Sequence, residues 1–154
     1  MGARRLGRVL RWVGVFVLGV VVGGYLFRDV RPRSFLAVDR CTSCWTPSEL
    51  AGLAGAVLIK NAPRAVPGIV LETDKTVAFV NPGRNRRPHY VIVPKKDIPD
   101  AGAFAKGDEA YLIDAYAVMG QIAREYGMRR YTITTRGPGE QTVRYLHFHL
   151  VAVQ

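Results

Sequence analysis

The apolar residues of this chain follow three different spacings, and each spacing predicts a different kind of element. An unbroken apolar stretch, WVGVFVLGVVVGGYLF, comes first. Between Asp108 and Gly127 the apolar residues recur at intervals of three and four, which predicts an amphipathic helix that the glycine ends as a C-cap. Short runs rich in β-branched residues recur in the second half of the chain, and such runs are typical of strands.

The first apolar stretch, residues 12–27, has the composition of a membrane anchor. As a helix it measures roughly 24 Å, slightly less than a ~30 Å hydrocarbon core. Arginines flank both ends, and Trp12 and Tyr25 suit the two interfaces. A cleaved signal peptide has a similar plan, but no A-x-A-like site follows. The sequence therefore favours a single-pass anchor in the lipid bilayer, and the basic tail ahead of it predicts a soluble domain outside the cytoplasm.

The chain is predicted to divide into three parts. Residues 1–33 hold the basic tail, the transmembrane anchor and the start of a linker, and residues 34–65 hold the rest of that linker with a C-x-x-C pair and a helix. Residues 66–154 form one soluble domain. The linker helix is predicted from about Pro47 to Lys60, because Thr46 is a good N-cap and Glu49 completes a capping box.

Five strands are predicted in the soluble domain. GIVLET and KTVAFVN form a tight hairpin, HYVIVPKK forms a third strand that stops near Pro94, and YTITT and VRYLHFHLVAV form a closing hairpin around RGPGEQ. Strands followed by a long helix and a closing hairpin indicate an α+β domain with an antiparallel sheet.

The net charge of +10 does not identify a nucleic-acid-binding protein. Much of the excess belongs to the arginines that flank the apolar stretch, and the rest of the chain is closer to neutral. No nucleic-acid partner is therefore predicted.

Candidate chemistry concentrates in the last predicted strand, RYLHFHLVAVQ. Residues two apart on a strand share a face, so Tyr145, His147 and His149 are predicted to lie together, opposite an apolar core face. Two half-buried structural histidines are the alternative. Just upstream, Gly137 and Gly139 allow backbone amides to turn toward an anion. The combination describes a phosphate held beside a nucleophilic imidazole.

Two stretches of the chain resemble the histidine triad (HIT) superfamily. QTVRYLHFHLV is similar to the closing motif of that family, in which three histidines alternate with apolar residues after Gln-Ser/Thr-Val. ETDKTVAFVNPGRNRRPHYVIVPKKDI is similar to its central hairpin, and the two stretches come in the family's order. The resemblance covers about residues 66–154. It implies a HIT-like five-stranded antiparallel sheet with one long helix, usually in a homodimer that joins two sheets.

The resemblance also implies a function and particular residue roles. Members of the family bind nucleotides and act at a phosphate through a transient nucleotidyl-histidine, with neither a cofactor nor a catalytic metal. The implied catalytic residues are His147, the nucleophile, and His149, the third histidine. The implied substrate-binding residues are Asn81 at the ribose hydroxyls, His89 at the start of the central strand, Gln141 and Thr142 at the phosphate, and Tyr145 at the position of the first histidine.

Two features keep other functions open. Tyr145 replaces an imidazole, which leaves a nucleotide-binding sensor or adaptor without turnover as an alternative. Cys41 and Cys44 have the spacing of half a zinc site and offer a metal or redox module together with His89. A disulfide outside the cytoplasm and free thiols inside it are equally compatible with that pair. If the chain is an enzyme, its anchor favours a nucleotide-linked substrate at the bilayer surface. The resemblance supports this, since one membrane-tethered relative acts on a nucleotide-linked lipid.

Overall fold

The computed structural model describes residues 2–30, 47–81 and 87–153. The predicted N-cap Thr46 and the cysteine pair Cys41 and Cys44 lie outside the described residues. Three α-helices occupy this part of the chain: Gly2–Phe27 (α1), Pro47–Asn61 (α2) and Glu109–Glu125 (α3). The strands are Ile69–Glu72 (β1), Thr76–Val80 (β2), His89–Pro94 (β3), Tyr131–Thr134 (β4) and Phe148–Ala152 (β5).

The strands form one five-stranded sheet in the order β1-β2-β3-β5-β4. Every neighbouring pair is antiparallel. The predicted α+β class with a five-stranded antiparallel sheet and an N-terminal apolar helix is therefore confirmed. Because β5 inserts between β3 and β4, the C-terminal strand lies near the middle of the sheet and pairs directly with the strand that begins at His89.

Helix α3 covers one face of the sheet. Its end has the backbone bonds of a Schellman motif, since the amide of Gly127 donates to the carbonyl of Arg124 and the amide of Met128 to that of Ala123. Gly127 has a φ of 61°, which confirms it as the C-cap glycine. The core beneath the helix includes Tyr90, Ile92, Met119, Ile122, Leu146, Phe148 and Leu150.

Helix α2 covers the opposite face, although the sequence analysis assigned residues 47–61 to the linker. Ala56 and Ile59 of the helix are buried against side chains of the sheet and of the segment before β5, namely Val77, Val91, Val93 and Tyr145. The backbone of Gly52 lies against that of Arg144, and Arg144 forms an ion pair with the buried Glu49. The domain therefore has three layers, with the sheet between α2 and α3.

The last strand is shorter than the pattern predicted, because β5 begins at Phe148 and not at Val143. The amide of Tyr145 donates to the carbonyl of Val143, which bends the chain locally, and the amide of Leu146 donates to Ile98 outside the sheet. These bonds use groups that a strand would pair with its neighbours. The two predicted faces persist through the bend, since Leu146, Phe148 and Leu150 are buried under α3.

Helix α1 carries the apolar stretch. Residues Gly7–Phe27 are long and apolar enough to cross a membrane, and none of that stretch is buried inside the structure. At 1.5 Å per residue they measure about 32 Å, close to the ~30 Å of a hydrocarbon core. The absence of burial argues against a core helix of the folded domain.

Two glycines of α2 give a matched test of how tightly the helix packs. A Cβ at Gly52 would lie 2.9 Å from the carbonyl carbon of Arg144 and closer to its oxygen, whereas a Cβ at Gly55 would meet only Val143 Cγ1 at 3.9 Å. We expect Gly52→Ala to lower the free energy of unfolding by about 1–3 kcal/mol, because the helix must shift.

Gly55→Ala, in contrast, gains helix propensity and is expected to be neutral or stabilising by up to ~1 kcal/mol. Denaturant unfolding of the full chain in detergent micelles would measure both variants. Equal stabilities would contradict the close contact at Gly52.

Candidate active site

A cavity of about 290 Å³ lies between α2 and the sheet. Its polar side chains are Asn81, Tyr145, His147 and His149. The remaining wall is apolar and comes from α2, β2, β3 and the segment before β5, through Gly55, Ile59, Phe79, Val91, Val93 and Val143. A small apolar cavity with a few convergent polar groups is the usual form of a small-molecule site.

The pairing of β3 with β5 determines which imidazoles meet. His149 lies opposite Val91, and His89 lies opposite Val151. Residues 89 and 91 share a face, so the ring of His89 is a diagonal neighbour of the ring of His149. Their centroids are 5.0 Å apart. The backbone amide of Asn81 donates to the carbonyl of His89 at 2.9 Å, which brings the residue after β2 to the same end of the sheet.

A chain of hydrogen bonds joins Asn81, His89 and His149. The Nδ2 of Asn81 lies 3.3 Å from Nδ1 of His89, and Nε2 of His89 lies 2.9 Å from Nδ1 of His149. An amide NH₂ only donates, so Nδ1 of His89 accepts and its Nε2 carries the proton. Nδ1 of His149 is then the acceptor, which leaves the proton of the neutral His149 ring on Nε2.

His147 is held in the opposite tautomer. Its Nδ1 lies 2.7 Å from the carbonyl oxygen of Tyr145, and because a carbonyl only accepts, Nδ1 must donate. The lone pair of the neutral ring is therefore on Nε2. The hydroxyl of Thr135 donates to the carbonyl of His147 at 2.9 Å and holds this segment beside β4. The rings of His147 and His149 are 5.0 Å apart and nearly perpendicular.

Burial and neighbouring positive charge lower the pKa of His149 to about 4. Desolvation is the largest cause, and charge on His147, His89 and Arg136 adds to it. Desolvation also lowers the pKa of His89 from its usual 6.5. At neutral pH His149 is therefore uncharged, with a proton on Nε2 that it can donate to a bound group.

Tyr145 lines the cavity with its ring, whereas its hydroxyl is turned to the backbone. The side chain is 3% exposed, and the hydroxyl donates to the carbonyl of Pro94 at 2.7 Å. This bond joins the bend before β5 to the end of β3. Tyr145, at the position of the first histidine, thus uses its hydroxyl to stabilise the fold and presents only its ring to the cavity.

The predicted phosphate-binding residues do not line the cavity. Thr142 is exposed, and Gln141 is buried with neither side-chain amide atom bonded to any residue that the structure describes. Glu140 donates its amide to the carbonyl of Gly137 in an ordinary turn. Neither Gly137 nor Gly139 has a positive φ, and the prediction that the amides of this turn face an anion stays a prediction.

Sequence reasoning missed the contribution of α2 to the cavity. Gly55 and Ile59 line it, and Phe79 of β2 lies across from them. The capping signals predicted the helix itself. Its inner face carried no signal of a site, because both faces of the helix are apolar.

Lowered pKa values at His149 and His89 predict acid sensitivity of the fold. Above pH 6.5 both states hold these rings neutral, whereas between pH 6.5 and about 4 the unfolded chain binds protons that the folded chain excludes. The free energy of unfolding should therefore fall as the pH falls through this window.

Denaturant unfolding across this pH range would measure that loss, and His149→Gln should reduce it. An NMR titration, with the His149 resonance assigned by the same substitution, should place its pKa near 4. Titration of His149 near 6.5 would contradict the deduced environment.

Comparisons with known proteins identify the fold. No protein-family model matches the chain. Among solved structures, a HIT family hydrolase from Clostridium thermocellum aligns with a TM-score of 0.58 and 24% identity, over 66% of this chain and 90% of that one. A HIT family hydrolase from Legionella pneumophila gives 0.56 and 24%, over 63% and 91%. A histidine triad nucleotide-binding protein from Candida albicans gives 0.54 and 18%, over 66% and 79%. This chain therefore has the fold of the HIT family hydrolases.

Proposed function

We propose that this chain is a membrane-anchored hydrolase or transferase of nucleotide phosphate derivatives that acts through a nucleotidyl-histidine on His147. The substrate is a nucleotide or a nucleotide-linked molecule. The protein names of the solved relatives agree with this class, since two are called hydrolases and one is called nucleotide-binding. Those names belong to the relatives, and the argument for this chain rests on its own side chains.

The observation that carries the proposal is the opposite protonation of two neighbouring imidazoles. His147 offers a lone pair at Nε2 because its Nδ1 donates to the carbonyl of Tyr145. His149 offers a proton at Nε2 because its Nδ1 accepts from His89. Both rings line one cavity. A nucleophile beside a fixed hydrogen-bond donor is what transfer at a phosphate requires.

The reaction follows from these two atoms. The lone pair on Nε2 of His147 attacks the phosphorus that bears the nucleotide, an N–P bond forms, and the bond from phosphorus to the leaving group breaks. His149 donates a hydrogen bond from Nε2 to a phosphate oxygen as negative charge builds there and keeps its proton, and the leaving group takes a proton from solvent as it departs. Water then attacks the same phosphorus and releases one proton to solvent, the N–P bond breaks, and the nucleotide leaves with the new oxygen while His147 regains its lone pair. Another acceptor in place of water gives transfer.

The remaining site residues support binding. The apolar wall of Ile59, Phe79 and Val91 suits the face of a nucleobase, and Asn81 stands at the cavity for the ribose hydroxyls. Gln141 and Thr142 precede the bend that carries the nucleophile, and we propose that they turn toward the phosphate when a nucleotide binds. The buried amide of Gln141 is a ready donor for such a contact.

The anchor and the pairing of copies complete the proposal. The exposed apolar helix α1 supports a single-pass membrane protein, and we keep the placement of the soluble domain outside the cytoplasm as a prediction. Strand β4 is an edge of the sheet and carries the exposed Tyr131. A second copy could pair with this edge, so the homodimer also stays a prediction.

A covalent adduct on His147 tests the chemistry directly. Full-length protein in detergent, mixed with an adenosine phosphoramidate and quenched in seconds, should gain the mass of one nucleoside monophosphate minus water. His147→Ala should lose the adduct completely, because no other group supplies the nucleophilic lone pair.

The matched variant His149→Gln should still form the adduct, about 10²–10³-fold more slowly, because it loses one donor to the developing charge. An adduct that persists in His147→Ala would overturn the assignment of the nucleophile. Saturable nucleotide binding with no adduct in the parent would instead support a sensor or adaptor.

Gly55 should limit the size of the bound group. A leucine at this position has room at Cβ, but its longer side chain would enter the cavity that Gly55 lines. We expect Gly55→Leu to lower kcat/KM roughly 10-fold or more, mainly through KM, since contacts in an apolar pocket are worth about 1–3 kcal/mol. Ala54→Leu, one residue away on the exposed side of the helix, is the matched control and should retain parental kinetics. Equal kinetics in both variants would show that the substrate does not reach α2.

A further inference from the structure

Helix α2 is apolar on both sides, which is unusual for a helix on the surface of a soluble domain. Its inner residues Ala56 and Ile59 pack on the sheet. On its outer side Leu50 and Leu58 are 44% and 41% exposed, and the exposed Ala54 lies between them. These three recur at intervals of four residues and form one stripe, called here the outer face.

The charged residues of α2 do not interrupt the outer face. Glu49 is buried and forms an ion pair with Arg144, and Lys60 forms an ion pair with Asp29 beyond the end of α1. The outer face therefore presents hydrocarbon to its surroundings along about 12 Å of helix. An apolar stripe of this kind fits a partner that is itself apolar.

The outer face is continuous with the end of the apolar helix α1. Leu26 and Phe27 of α1 line a groove of about 620 Å³ together with the α2 residues Leu50, Leu53, Ala54, Val57, Leu58 and Asn61. A membrane that surrounds α1 up to Phe27 therefore meets α2 at the same level. Lys60, Lys95 and Lys96 line the neighbouring cavity with Asp29 and Asp97, and they form ion pairs with Asp29, Glu72 and Asp108 respectively. Basic side chains at the end of a span are typical of the headgroup region.

We infer that α2 lies in the membrane interface, with its outer face of Leu50, Ala54 and Leu58 among the lipids and its inner face forming the wall of the catalytic cavity. The inference rests on the membrane anchor of the proposed function and adds a second membrane contact to it. Gly55 and Ile59 line the cavity from the inner side of the same helix. One helix diameter, about 10 Å, then separates the lipid from the site.

The consequence is a site held about 10 Å from the bilayer surface. A helix anchored on one side by lipid and on the other by the sheet fixes the cavity close to the headgroups. Substrates that reside in the membrane are then close to the cavity, because only α2 separates the two.

Photocrosslinking to lipid tests this seating without relying on activity. A benzophenone amino acid would replace Leu50 or Leu58, one at a time, in the full chain reconstituted into liposomes of phosphatidylethanolamine and phosphatidylglycerol. Ile113 of α3 is the matched control, because it is an aliphatic residue with 69% exposure on the other side of the sheet. Illumination followed by intact-mass measurement would identify the crosslinked partner.

We expect a mass increase of one phospholipid at positions 50 and 58 and none at position 113. A protein–protein crosslink at positions 50 and 58 would overturn the inference in favour of a second copy on the outer face. No adduct at these positions, or equal lipid adducts at all three, would also overturn it. Replacing the exposed Leu50 or Leu58 leaves the core intact. A lipid adduct at either position, with none at position 113, is enough to support the inference.

The result is separable from the proposed chemistry. Lipid crosslinks in a protein that forms no nucleotidyl adduct would leave the seating intact and remove the enzymatic proposal. A nucleotidyl adduct in a protein whose outer face crosslinks no lipid would support the enzymatic proposal and overturn the membrane contact of α2.

Discussion

The register between β3 and β5 is the constraint on which the site depends. Tyr90 pairs with Leu150 and Ile92 with Phe148, and all four side chains are buried on the face covered by α3. A shift of one residue would expose this apolar set and turn the histidines into the core. The cost of exposing large apolar side chains, about 1.5–3 kcal/mol each, therefore holds His149 on the opposite face beside His89. The core under α3 thus determines where His89 and His149 lie, although they are on the opposite face of the sheet.

The other face of the sheet depends on a single helix. Without α2, the apolar side chains of Val77, Val91 and Val93 would face solvent and the cavity would be an open surface. The backbone contact at Gly52 fixes how near the helix lies, and a residue without a Cβ is needed for that approach. Since the hydroxyl of Tyr145 bonds to Pro94 beneath the same helix, the bend that carries His147 and the wall that faces it are parts of one packed layer.

The sequence predicted what depends on local spacing and missed what depends on distant contacts. Alternation in the last strand predicted that Tyr145, His147 and His149 would share a face, and the two-residue period persists through the bend. The start of β5 at Phe148 was not predictable from the same pattern, because it follows from the bond of Leu146 to Ile98. The tautomers of His147 and His149 were also not predictable from the sequence. They depend on hydrogen bonds to the carbonyl of Tyr145 and to the ring of His89. The acceptor of the Tyr145 hydroxyl, the carbonyl of Pro94, is far away in sequence.

Because position 145 carries a tyrosine in place of a histidine, the tautomers of His147 and His149 decide which groups in the cavity can donate and which can accept. An imidazole at position 145 would add a third basic ring to the cavity, whereas the tyrosine adds a phenol whose hydroxyl is bonded to the carbonyl of Pro94. In the proposed reaction the hydrogen bond to the phosphate then comes from His149. Its lowered pKa keeps that ring neutral, so it donates a hydrogen bond from Nε2 without carrying a charge. The side-chain amide of Asn81 sets the tautomer of His89, and His89 in turn sets the tautomer of His149. The replacement of one imidazole by Tyr145 is thus compatible with the proposed chemistry, because His147 and His149 already have opposite tautomers.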